Sequence, residues 1–107
     1  MIILNRQPEN VYKFRLAPWC LQAPPLMRDI MDQLESWTFD PQDSNILLIF
    51  YLDEAKAREL PRFPIEKLYE RMHRFFKIHP EVSVEFKSRD TDQTLVKFKG
   101  GRVVASC

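Results

Sequence analysis

Glycine is almost missing from this chain of 107 residues: Gly100 and Gly101 are the whole supply. That excludes a glycine-rich phosphate loop, which needs several places where backbone N–H groups can close on an anion. Cysteine and histidine are as scarce, with two of each. Cys20 and Cys107 are too few for a disulfide framework, and His73 and His79 fall on different sides of any helix, so no structural zinc, other metal or cofactor is expected. Long apolar runs are also lacking. The longest, Ile46 to Leu52, is far short of the roughly 20 residues that cross a bilayer, so no membrane partner is expected. No basic segment followed by an apolar stretch and a small-residue cleavage site opens the chain, which points to a cytoplasmic or nuclear setting.

The composition that remains is that of a globular protein, 45% apolar and 29% charged, and the length suits one domain over residues 1–107. The formal net charge of +1 hides an uneven division. Residues 1–61 carry six Lys/Arg against nine Asp/Glu, and residues 62–107 carry ten against six. An acidic front half and a basic back half suggest polar faces rather than a uniformly basic nucleic-acid binder.

Periodicity supplies the architecture. Pro64 suits the first position of a helix and Pro80 disfavours helical geometry at His79; between them Ile65, Leu68, Tyr69, Met72, Phe75 and Phe76 recur at spacings of three and four. One long amphipathic helix is predicted there. A second runs from Pro25 to about Trp37, with Leu26, Met27, Ile30, Met31, Leu34 and Trp37 inward and Asp29, Asp32 and Glu35 on an acidic outer face. Alternation of period two marks strands at Val11 to Leu16, Val82 to Lys87 and Thr94 to Lys99, and Gly100-Gly101 supplies the positive backbone angles of a tight hairpin into Arg102 to Ser106. In that hairpin Phe98 would face Val103 and Val96 would face Ala105, both pairs on the core side. Met1 to Leu4 is read as a further strand, hairpinned to Val11 to Leu16. Ile46 to Leu52, apolar throughout, is the central strand, and Asp53 is placed to cap a short helix from Glu54 to Leu60.

The order is therefore ββαβαβββ. Right-handed crossovers would make the strands joined through helices parallel and put both main helices on one side. The expected fold is α/β (α+β), a two-layer sandwich with a mixed sheet of five to six strands and two main helices on one face.

Three patterns bear on chemistry. Glu85-Phe86-Lys87 has the E-x-K form of metal-dependent nucleases, but alternating charge on an exposed strand makes the same tripeptide and no further acid is patterned beside it. Asp53-Glu54 ends the central strand, where open α/β sheets bind ligands, but helix capping is the stronger explanation of the pair. His73, beside Glu70 and Lys77, has no serine or cysteine nucleophile patterned to it and reads as a surface histidine. No catalytic residue is assigned, and enzymatic activity is not expected.

Ala17-Pro18-Trp19-Cys20, after a strand and before a helix, resembles the active-site entry of thioredoxin-like proteins, and Thr94 to Val104 resembles their closing hairpin. The resemblance implies a degenerate thioredoxin-like scaffold. Leu21-Gln22-Ala23 stands where the spacer and second cysteine would be, and Gln93 where the family's cis-proline would precede the hairpin. Dithiol exchange needs a resolving thiol, so Cys20 is read as partly buried and inert.

What is left is the sheet face away from the helices. If Tyr12, Phe14, Val84, Phe86, Val96 and Phe98 point to the helices, then Lys13, Arg15, Lys87, Lys97, Lys99 and Arg102 point the other way, with Glu85 the one acid among them. The all-apolar central strand must send half its side chains there too, among them Ile49 and Tyr51 in one of its two phases, giving an apolar stripe flanked by cations. The expectation is a non-enzymatic protein-interaction or adaptor domain, self-associating or bound to a protein partner through this face or a sheet edge. The alternative is a nucleic-acid-binding domain in which the same cations meet phosphates and Tyr51 stacks on a base.

Overall fold

The structure is a computed structural model and describes residues 10–16, 18–36, 45–100 and 102–106. The strand expected at Met1 to Leu4 lies outside the described residues, as does Trp37. In chain order the elements are β1 (Asn10–Arg15), α1 (Leu26–Glu35), β2 (Ile46–Leu52), α2 (Glu54–Glu59), a 3-10 turn (Leu60–Arg62), α3 (Ile65–Arg71), α4 (His73–Ile78), β3 (Ser83–Ser88), β4 (Thr94–Lys99) and β5 (Arg102–Ser106). The five described strands form one sheet in sequence order, β1-β2-β3-β4-β5. The first three are parallel, and β4 and β5 run antiparallel to their neighbours. This is the mixed two-layer α+β arrangement expected: each strand-helix-strand step moves one place along the sheet in the same direction, so right-handed crossovers bring the helices to one face.

A single buried cluster joins the two layers. Leu26, Ile30 and Leu34 of α1, Ile65 and Leu68 of α3 and Phe76 of α4 pack on Phe14, Ile46, Leu48, Phe50, Leu52, Val84, Phe86 and Phe98 of the sheet. This settles the phase of β2: its even-numbered residues face the helices, and Leu47, Ile49 and Tyr51 face the other way. Phe14, Phe50 and Phe86 stand in one register row across the parallel strands. Their rings are stacked at centroid separations of 5.0 and 5.5 Å, and Phe63 meets Phe86 edge-on at 5.5 Å.

Three details differ from the sequence reading. The long helix is two: at Met72 the backbone leaves helical geometry (φ −101°, ψ 22°) and α4 restarts at His73. No glycine or proline lies between Pro64 and Pro80, so no breaker residue marks the interruption. Beyond it Phe76 is buried and touches Tyr69 at 4.0 Å between centroids. Second, the outer face of α1 is not uniformly acidic, because Asp29 is buried at 5% exposure against Lys56. Third, β4 carries two irregularities. Phe98 does face Val103, but the register then shifts and Val96 faces Ser106 rather than Ala105. Val103 is 59% exposed and does not join the core. The other shift leaves Leu95 without an opposite number between Thr94 and Val96, as in a β-bulge.

Candidate functional site: the cationic sheet face

The register places the residues singled out from sequence in three rows on the side away from the helices. One row is Lys13, Ile49, Glu85 and Lys97; the next is Arg15, Tyr51, Lys87 and Thr94; the third is Val11, Leu47, Ser83, Lys99 and Arg102. All eight candidates, Lys13, Arg15, Ile49, Tyr51, Lys87, Lys97, Lys99 and Arg102, thus share one face. Lys13, Arg15, Lys99 and Arg102 are exposed; Tyr51, Lys87 and Lys97 are half-buried.

The centre of the face is drier than an open apolar stripe. Leu47 is 9% exposed and Ile49 5%, although neither belongs to the core between sheet and helices. Ser83 and Glu85 beside them are also buried. Glu85 accepts a hydrogen bond from the Thr94 hydroxyl at 3.2 Å and lies 3.9 Å from the Lys87 ammonium. That ammonium is also 3.7 Å from Asp92. The E-x-K pair is therefore an ion pair with a lysine between two carboxylates, the place a metal would have to occupy in a nuclease site. Asp92 escaped sequence reasoning because it sits in a turn with no periodicity; its positive φ of 58°, tolerated by Asp more readily than by most residues, brings it back towards Lys87. Among the described residues no group of three His, Cys, Asp or Glu could hold a metal ion.

At the edge where the parallel strands end, the other place a ligand could sit, the acids are engaged by the protein itself. Asp53 accepts from the Lys56 N–H at 2.8 Å through one carboxylate oxygen and from the Trp19 N–H through the other. It caps α2 and holds the loop after β1 at once. Glu59 accepts from the Leu26 N–H at 3.0 Å, satisfying a donor at the start of α1 that has no helical partner. Lys56, fully buried, donates to the Pro24 carbonyl and lies 3.8 Å from Asp29. Glu54 pairs with Arg58 at 2.6 Å in solvent. Every acid at this edge that the sequence offered to a ligand is engaged within the chain.

Cys20 is exposed, not partly buried as read from the sequence. The loop that carries it turns outward, closed by the Ala23 N–H donating to the Cys20 carbonyl at 2.9 Å. The two segments that resemble thioredoxin-like proteins are far apart: Pro18 to Cys20 follows β1 at one end of the described sheet, and the hairpin is at the other, with β2 and β3 between. His73 is exposed, whereas His79 is buried beside Phe75 with 4.9 Å between ring centroids.

No protein-family model, no curated protein and no solved structure matches this chain. Among the described residues, no helix is long and apolar enough to cross a membrane.

Proposed function

We propose that this chain is a non-enzymatic protein-interaction domain whose cationic sheet face docks on an acidic surface of a protein partner. The observation that carries the reading is the convergence of six Lys and Arg side chains on one face in three register rows, drawn from β1, β3, β4 and β5. Only Lys87 among them has carboxylates within ion-pair distance in the described ion pairs. The low exposure of Leu47 and Ile49 sharpens the proposal, because it moves the expected contribution from an apolar stripe to the charged rim and to half-buried Tyr51. Charge complementarity of this kind sets on-rate and selectivity more than raw affinity.

The test is a titration of the chain with poly-glutamate and, separately, with a single-stranded oligonucleotide, followed by amide chemical shifts at low and moderate salt. The reading expects poly-glutamate to move Lys13, Arg15, Tyr51, Lys97 and Lys99, and Lys97→Glu/Lys99→Glu to abolish the response. Tyr51 between Arg15 and Lys87 favours one rival, a nucleic-acid surface. That rival would show as oligonucleotide binding lost steeply with salt and weakened by Tyr51→Ala. Shifts confined to other surfaces would sink both.

A further inference from the structure

We propose that the crevice between the Leu60–Arg62 turn, the start of α3 and β4 binds a small organic cation, an ammonium group carried on an apolar body. The crevice encloses about 360 Å³, within the range of pockets that hold small molecules. One wall is Leu60, Phe63 and Ile65, and the other is Leu95, Val96 and Phe98. The second wall depends on an irregularity in β4. Successive residues of a regular strand point to opposite faces, yet Leu95 and Val96 both line the crevice. The pairing with β3 passes from Thr94 to Val96 and leaves Leu95 as the extra residue, which is how a bulge re-aims a side chain. Leu95 and Val96 are half-buried, whereas Val84 and Phe86 on the neighbouring strand are fully buried, so the helical layer thins over β4.

The two aromatic walls share one support in the core. Phe86 meets Phe63 edge-on at 5.5 Å and Phe98 edge-on at 6.3 Å. Walls already fixed in place lose little freedom when a ligand enters. The charge of the ligand follows from Glu66, the only charged residue of the lining. It is exposed in the first turn of α3 and has no ion-pair partner among the described residues. An apolar crevice with a free carboxylate at its side suits a ligand with one positive end, and the aromatic rings of the lining favour an ammonium as well. An organic anion would meet the Glu66 carboxylate with no cation in the lining to offset it. The crevice lies on the helix side of the sheet, so this inference does not depend on what the cationic face binds.

The experiment follows amide chemical shifts of the full chain at moderate salt in separate titrations with phenethylamine, phenethyl alcohol and phenylacetate. These probes share an apolar body and differ in charge. The amine is expected to shift Phe63, Leu95, Val96 and Glu66 with a dissociation constant on the order of millimolar, as suits roughly ten non-hydrogen atoms. It should bind about two- to fivefold more tightly than the alcohol, the range of an exposed ion pair, and phenylacetate should bind most weakly. Glu66→Gln should bring the amine to the affinity of the alcohol, and Glu66→Lys should reverse the order of amine and phenylacetate. Both substitutions fall at an exposed position, and unchanged melting confirms the fold. Amine-induced shifts that are absent, or that fall elsewhere than the crevice, overturn the proposal. Equal affinity for the three probes overturns it too, as does a preference for the amine that survives Glu66→Gln or Glu66→Lys.

Discussion

The two faces of the sheet use the same five strands and reach opposite solutions. Towards the helices the strands present Phe14, Leu48, Phe50, Val84, Phe86 and Phe98, all within 9% exposure or less. The other face presents lysine and arginine on every strand but β2, whose Leu47 and Ile49 are buried there too. Alternation with period two sets the apolar residues of β1, β3 and β4 towards the helices and their charged residues on the other side, although Ser83 and Glu85 are buried there; β2, apolar on both, ties the two together. The lesson is that burial at the centre of a sheet is not proof of membership in the core. Ile49 and Phe50 are similarly inaccessible, yet only Phe50 packs against helices.

Stability measurements can break or sharpen that contrast. The largest effect is expected for Phe50→Ala, which opens a cavity in the middle of the aromatic row and should cost about 3–5 kcal/mol in urea unfolding. Near-wild-type stability would mean the row is not the core. Lys56→Ala should follow at about 3 kcal/mol, because it removes a fully buried ammonium that donates to the Pro24 carbonyl and lies 3.8 Å from the buried Asp29 carboxylate. Ile49→Ala is expected to cost about 2 kcal/mol, the low end for an isoleucine truncation, since the site lies outside the main cluster; a loss equal to that of Phe50→Ala would erase the distinction between the faces. Asp53→Ala removes an N-cap and should cost about 1 kcal/mol, together with faster proteolysis of the Pro18 to Pro25 loop that the same carboxylate holds. Lys99→Glu, at an exposed position opposite Ser83, should change stability by less than about 0.5 kcal/mol while reducing the response to poly-glutamate.

Much of this was legible in the sequence because strong local signals agreed with the fold. The all-apolar run Ile46 to Leu52, the Asp53 cap and the Thr94 to Ser106 hairpin appear where periodicity put them. The grouping of the face residues also followed, since alternation fixes which residues of a strand travel together. What escaped was set by contacts distant in sequence. Asp29 looks like part of an exposed acidic face until Lys56, 27 positions later, is found buried against it. The interruption at Met72 has no breaker residue, and of the register shifts along β4 only one has a mark in the sequence, the successive apolar pair Leu95-Val96. Cys20 could not be placed because a loop with three prolines has no period from which exposure could be read.

The phenylalanine row has a consequence for errors in assembly. Parallel strands joined by long crossovers have no hairpin turn to set their alignment, so register must be fixed by what the strands carry. Slipping β1 or β3 by one residue against β2 would remove Phe14 or Phe86 from the stack and bring Lys13, Glu85 or Lys87 inward in its place. The row thus acts as a proofreading key: of the neighbouring alignments, only the native one lets three aromatic rings meet while every adjacent charge stays on the outer side.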